Sequence, residues 1–160
     1  MRTILLVCHA NTARSVMAQA LLQRMLAERD ALEGVRIRSG GIAPYARDGM
    51  LPSLDARIVL REEGIHLGED DQVSTDLKRH RHLLAEADLI VTMTVQQKHM
   101  VEDFAEARGR SVLTLRELAG EECDIADPGS EGEETFRACR DEIRRCLERS
   151  VDRLLLALST

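Results

Sequence analysis

The stretch Thr3-Ile4-Leu5-Leu6-Val7-Cys8-His9-Ala10-Asn11-Thr12-Ala13-Arg14-Ser15 decides the fold. Its first five residues are aliphatic or β-branched on both alternating faces, as expected of a strand buried on two sides. A short run of small and polar residues follows. Then Met17, Ala18, Leu21, Leu22, Met25 and Leu26 recur at helical spacing. A strand, a tight loop and a helix in that order put the loop at the carboxyl end of the strand. That is where open α/β sheets bind their ligands.

The same alternation continues along the chain. Gly34 punctuates, and Val35 to Ser39 alternates like a strand. Gly40-Gly41 through Pro52 reads as a Gly- and Pro-containing loop. Pro52-Ser53 opens a helix carrying Leu54, Ile58 and Val59, with Gly64 at its C-terminal cap. Residues 68–82 read as a polar loop, with Glu69, Asp70 and Asp71 on its surface, leading into a helix that runs toward Glu86. Asp88 to Met93 is a second buried strand, and Thr94-Val95-Gln96-Gln97 has capping-box spacing for a helix start. Ser111 to Leu115 is the last strand. Phe136, Cys139, Ile143, Cys146, Leu147, Ser150, Leu154 and Leu158 mark one face of a long C-terminal helix. Strands alternating with helices, without hairpin turns, predict an α/β domain with a parallel sheet. There is no internal repeat or second composition block, so one domain is expected over 1–160.

Composition narrows the function. The 160 residues include one Tyr, two Phe and no Trp. Any core is therefore aliphatic, and the ring platforms that stack on single-stranded nucleic acid are missing. A net charge of −6 argues against a general binder of phosphate backbones, although one cleft can still be positive. The four cysteines have no CxxC or zinc spacing. Cys139 and Cys146 would lie roughly 10 Å apart on a helix, too far for a bridge. Reduced cysteines suit a cytoplasmic protein. The N-terminal apolar run is too short for a signal peptide, and no run reaches membrane-spanning length.

Chemistry concentrates at Cys8 to Ser15. Cys-x5-Arg alone is a weak signal, because Cys139 and Arg145 repeat it inside the C-terminal helix. Around Cys8, however, a loop entering a helix N-terminus points backbone N–H groups inward and forms an anion nest. Such donors favour a thiolate. Arg14 offers a planar fork for two oxygens of a phosphate. Asn11 and Ser15 suit fixing a strained loop and bonding the sulfur. The plainer alternative is a buried cysteine beside a solvated arginine, and the strand–loop–helix context disfavours it.

This segment resembles the phosphate-binding loop of the low-molecular-weight protein tyrosine phosphatases, Cys-x5-Arg-Ser directly after the first strand. Ser39-Gly40-Gly41 is similar to that family's small-residue stretch after the second strand. Asp88 to Met93 with Thr94 resembles its third strand and helix start, and Asp127-Pro128 its general-acid loop. The resemblance implies a four-stranded parallel sheet flanked by helices. It implies catalysis by Cys8, Arg14 and Asp127, and substrate binding by His9, Ala10, Asn11, Thr12, Ala13 and Ser15. It also implies a phosphocysteine intermediate with neither metal nor cofactor. The partners implied are a phosphorylated protein and an oxyanion in the loop, not nucleic acid or membrane. Without the resemblance, Asp127-Pro128 reads equally well as an ordinary turn.

Departures from the family pattern carry information. Ala10 replaces a usual glycine, which is costly if that residue needs positive φ. Ala13 replaces a frequent cysteine, so the disulfide some members form with the nucleophile cannot form. No aromatic residue follows Asp127-Pro128, and His66 receives no role. Thr12 stands where tyrosine-specific members carry a bulky aliphatic residue. Together with Thr94-Val95-Gln96-Gln97-Lys98, it resembles the bacterial protein-arginine phosphatases, although neutral loop variation would also place a threonine there. A threonine and an acidic Asp127 suit a cationic guanidinium, whereas a phosphotyrosine ring prefers apolar walls. Phe136 and Phe104 are expected in packed helices, leaving Tyr45 as the aromatic able to reach the pocket rim. Phosphoarginine is thus favoured over phosphotyrosine. A non-catalytic phosphoanion-binding module and an arsenate reductase remain as alternatives. The latter needs additional cysteines near the site, and only the position of Cys123 leaves that open. His80-Arg81-His82 has strand-like metal-ligand spacing but reads as a solvated face.

Overall fold

In a computed structural model that describes residues 1–68 and 71–159, the opening strand is the centre of the sheet. Strand β1 (Arg2–Cys8) pairs in parallel with β2 (Val35–Gly41) on one side and β3 (Leu89–Thr92) on the other. Strand β4 (Ser111–Thr114) pairs with β3, giving the order β2-β1-β3-β4. Parallel neighbours require crossovers. The helices are α1 (Arg14–Glu28), α2 (Leu54–Glu62), α3 (His82–Glu86), α4 (Val95–Glu102), α5 (Leu115–Leu118) and α6 (Glu133–Leu158), with a 3-10 turn at Ala105–Ala107. This is the four-stranded parallel α/β architecture expected from the sequence.

The alternation of β1 divides the core in two. Ile4, Leu6 and Cys8 face a cluster closed by α1, α2 and α6, while Leu5 and Val7 face a second one with Leu77, Leu84 and Val101. All eight residues expected on the inner face of α6 are buried. Gly64 ends α2 at φ +79, as its cap requires. Thr94 and Gln97 form the expected reciprocal capping box.

Three expectations change. Phe104 lies outside any helix, between α4 and the 3-10 turn, partly buried with the Arg81 guanidinium over its ring. Leu115 is not the end of the last strand. It opens α5, because Thr114 and Glu117 make a second capping box. The segment before α3 is not simply a polar loop: Ser74, Asp76 and Leu77 are buried, and Asp76 bridges to Gly41. Asp71 is exposed as expected, whereas Glu69 and Asp70 lie outside the described residues. No helix among the described residues is long and apolar enough to cross a membrane.

Candidate active site

Cys8 is the last residue of β1, and Arg14 the first of α1. The five residues between them must reverse the chain within a few ångströms. Asn11 makes the turn with φ 62, in the left-handed region that asparagine tolerates better than most residues. Ala10 is not at positive φ, so the expected cost of alanine there does not arise.

Asn11 also ties the turn to its surroundings. Its Nδ2 donates to Ser15 Oγ at 2.7 Å and to Ser39 Oγ at 2.9 Å. Its Oδ1 accepts the Thr75 N–H at 2.9 Å. Its own backbone N–H donates to Cys8 Sγ at 3.3 Å. Ser15 Oγ lies 3.0 Å from the same sulfur. Because Asn11 already donates to that hydroxyl, the hydroxyl hydrogen is free to point at Sγ. Two donors thus converge on a buried sulfur and stabilise negative charge there.

The loop is pressed against the end of β2. A Cβ on Gly41 would come within 2.7 Å of the His9 carbonyl oxygen, and one on Gly40 within 2.5 Å of the Leu77 side chain. The small-residue stretch Ser39-Gly40-Gly41 therefore has a steric reason. The Ile42 and Ala43 N–H groups donate to the Cys8 and His9 carbonyls. Ser53, just before α2, donates its N–H to the Thr12 carbonyl at 2.9 Å.

Arg14 reaches the opposite wall. Its side chain is only 4% exposed; Nη1 donates to the Ile125 carbonyl at 2.7 Å, and Nη2 lies 3.9 Å from Asp127 Oδ2. The loop carrying Asp127 is moored to the sheet, since Ile125 N–H donates to the Met93 carbonyl and Asp124 accepts from Val95 N–H. Asp127 itself is 61% exposed and accepts the Gly129 N–H through Oδ1. A cavity of ≈ 70 Å3 opens between these groups. Cys8, Arg14 and Asp127 line it together with His9, Ala10, Thr12, Ala13 and Tyr45. Asn11 and Ser15 stand behind it. Every residue expected at the site is thus in or directly beside one cavity.

His9 Nδ1 is buried without a hydrogen-bond partner, and its ring lies 6.4 Å from that of Tyr45, centre to centre. Burial, and then the charge of Arg14, hold the imidazole below its ordinary pKa against an opposing pull from Asp127. Cys139 is buried behind the acid loop, its thiol 3.8 Å from the Ala126 carbonyl, and burial pushes it up to about 12. Cys123 is exposed, and neither it nor His66 lines the cavity. His80 pairs with Asp48 at 2.8 Å, and no metal-holding group of three or more His, Cys, Asp or Glu occurs among the described residues. Sequence reasoning missed Thr75, Gln19 and the Ile125 carbonyl. Thr75 contributes only backbone groups, its N–H to Asn11 and its carbonyl to the Gly41 N–H, and these leave no mark in a sequence. Gln19 steadies Ser39 by accepting its hydroxyl at 2.7 Å.

The chain matches the family described as low molecular weight phosphotyrosine protein phosphatase over residues 3–158. It belongs to that family. A protein-arginine-phosphatase of Geobacillus stearothermophilus is 37% identical over 152 residues, which cover 94% of this chain and 95% of the relative. A probable low molecular weight protein-tyrosine-phosphatase, EpsP, of Ralstonia nicotianae is 34% identical, covering 96% of both chains. Among solved structures, the YwlE arginine phosphatase of G. stearothermophilus superposes with a TM-score of 0.81 at 36% identity, over 96% of this chain and 93% of that one. A YwlE mutant with a phosphorylated active-site serine gives 0.82 at 32%, over 95% of each. As a member of this family the chain is a phosphatase, and phosphorylated proteins are its class of substrate.

Proposed function

We propose that the protein is a protein-arginine phosphatase in which Cys8 is the nucleophile, Arg14 the oxyanion clamp and Asp127 the acid and base. The observation that carries this is the shared cavity, in which the Cys8 sulfur, the Arg14 guanidinium and the Asp127 carboxylate meet beside Thr12. In the first step the Cys8 thiolate attacks phosphorus. An S–P bond forms as the N–P bond to the guanidinium group breaks, and Asp127 gives its proton to the departing nitrogen. In the second step Asp127, now a carboxylate, takes a proton from water. The water oxygen attacks phosphorus, the S–P bond breaks, and phosphate leaves with the thiolate restored. Arg14 and the loop amides hold the equatorial oxygens throughout, where charge accumulates.

The preference for phosphoarginine rests on the walls. Thr12 and the two polar groups His9 and Asp127 surround a cavity with one aromatic neighbour, the 64% exposed Tyr45. A guanidinium finds acceptors there, whereas a phenyl ring finds little to bury against. Relatives named as protein-arginine-phosphatases, at 37% and 33% identity, support the same choice. The free thiol, with alanine at position 13, suits reducing surroundings, and we assign the protein to the cytoplasm. Arsenate reduction is disfavoured: Cys139 is buried behind Ala126, and no thiol but Cys8 lines the cavity among the described residues.

The test is kcat/KM on matched phosphoarginine and phosphotyrosine peptides. Preference for arginine is expected, and a strong preference for tyrosine would overturn it. Cys8→Ser should abolish turnover, and Asp127→Asn should lower kcat by about 10²–10⁴-fold. Phosphate binding without Cys8-dependent turnover of any aryl phosphate would make the protein a phosphoanion-binding module instead.

A further inference from the structure

Among the described residues, half of the exposed large apolar side chains lie within ten residues of one another: Tyr45, Met50, Leu51 and Leu54. Two of them, Tyr45 and Met50, line a second hollow of ≈ 290 Å3 together with Ala10, Thr12, Ala46 and Arg47. Ala10, Thr12 and Tyr45 also line the catalytic cavity, so the two hollows share a wall. The loop that presents these side chains is stapled, not loose. Buried Ser74 accepts the Met50 N–H at 2.8 Å, donates to the Arg47 carbonyl, and returns its own N–H to the Met50 carbonyl. The Gly49 N–H donates to the Ser74 carbonyl, and Asp48 accepts from the Asp76 N–H and pairs with His80. An apolar surface held on a fixed frame has its ordering cost already met before anything binds.

We propose that this hollow receives an apolar side chain of the substrate protein adjacent to the phosphorylated residue, in an extended segment lying across Tyr45 toward Met50. The occupant follows from continuity. The hollow shares Ala10, Thr12 and Tyr45 with the cavity that would seat the phosphorylated side chain, so it is the adjoining space open to neighbouring residues of the same segment. Arg47 lines the hollow and is exposed, so its stem can add apolar surface while its charged end serves a carbonyl or carboxylate of the segment. The proposal rests on the phosphatase reading above and names what that site selects beyond the phosphorylated residue.

The experiment compares two phosphoarginine peptides that differ only in having Leu or Ala beside the phosphorylated residue. On the wild-type protein the Leu peptide should have about tenfold higher kcat/KM, the scale of one modest apolar burial. In Met50→Ser, which removes an exposed side chain and leaves the backbone bonds to Ser74 in place, the Leu-to-Ala ratio should fall toward one. Using a ratio cancels any general change in catalysis. A ratio near one on the wild type, or one unaltered in Met50→Ser, would overturn the subsite. Direct binding of both peptides to Cys8→Ser protein, read by fluorescence polarisation, is a separate arm. It should show the same Leu preference whether or not turnover occurs, so loss of turnover with retained preference counts against the phosphatase reading alone. Sedimentation over a range of concentrations covers the rival occupant. A dimer that dissociates in Met50→Ser would make this face a contact between copies and overturn the proposal.

Discussion

Asn11 carries more of the site than its size suggests. It supplies the left-handed turn, a donor to the sulfur, and three side-chain hydrogen bonds to Ser15, Ser39 and Thr75. Asn11→Ala removes the three bonds and leaves a Cβ at positive φ. We expect a stability loss of about 3 kcal/mol by chemical denaturation, and a fall in kcat. Asn11→Gly separates the causes, because it keeps the turn and loses only the bonds. His9 makes a second prediction. Its folded pKa lies below 6.5, so the unfolded chain takes up that proton first. This group therefore favours folding above pH 6.5, and its contribution is lost as pH falls. Protonated His9 would place a second cation beside Arg14 and oppose a guanidinium substrate. The ratio of phosphoarginine to aryl phosphate turnover should drop between pH 7 and pH 5 in the wild type, and far less in His9→Gln. A ratio with the same pH profile in both would remove His9 from substrate choice. The sequence made Cys8, Arg14 and Ser15 legible because their relation is local and follows from a strand, a loop and a helix. The grip on Asn11 was not legible, since Ser39 and Thr75 lie far along the chain and one of them acts through its backbone.

Among the elements, α6 is pinned by arginines meeting two carboxylates. Glu62 at the end of α2 receives Arg137 and Arg140 from α6, and Arg140 also donates to the Val59 carbonyl. Glu121, after α5, receives Arg116, Arg145 and Arg149. These arginines hold both carboxyls at about 2, well under the ordinary 4.5. A depressed carboxyl favours the folded state above its unfolded value and loses that effect as pH falls through the folded value. The relevant window is thus pH 4.5 down to 2. In Glu62→Gln/Glu121→Gln, stability should depend less steeply on pH across that window, as followed by far-UV circular dichroism in urea at each pH. An unchanged slope would mean that solvent screens these pairs completely. Element recognition from sequence succeeded where a pattern is self-contained: two-sided apolar runs for β1 and β3, Thr94-x-x-Gln97 for α4, one apolar face for α6. The same capping logic, applied to Thr114-x-x-Glu117, would have found α5. The segment at 71–81 defeated it because burial there is sustained by hydrogen bonds to polar Ser74 and Asp76, which carry no apolar signature.

For the whole molecule, the aromatic-poor composition does produce an aliphatic interior, with Phe136 as its one fully packed ring, 2% exposed against the α1–α2 side of the sheet. Phe136→Ala should cost about 3–5 kcal/mol in urea denaturation, because rigid aliphatic neighbours cannot collapse into the space of a ring. A cost below 1 kcal/mol would show that the C-terminal helix repacks freely. The convergence of β1, β2, the segment at Thr75 and the loop at Ile125 on eight residues has one more consequence, for anyone who would borrow the site. The phosphate-binding loop is not a portable cassette. Moved alone onto another strand–helix junction, Cys8 to Ser15 would leave behind the hydroxyl of Ser39, the bare backbone of Gly41 and the amide of Thr75 that hold its shape. A transplant has to carry those three positions with it, which makes the smallest transferable unit a half-sheet and not a motif.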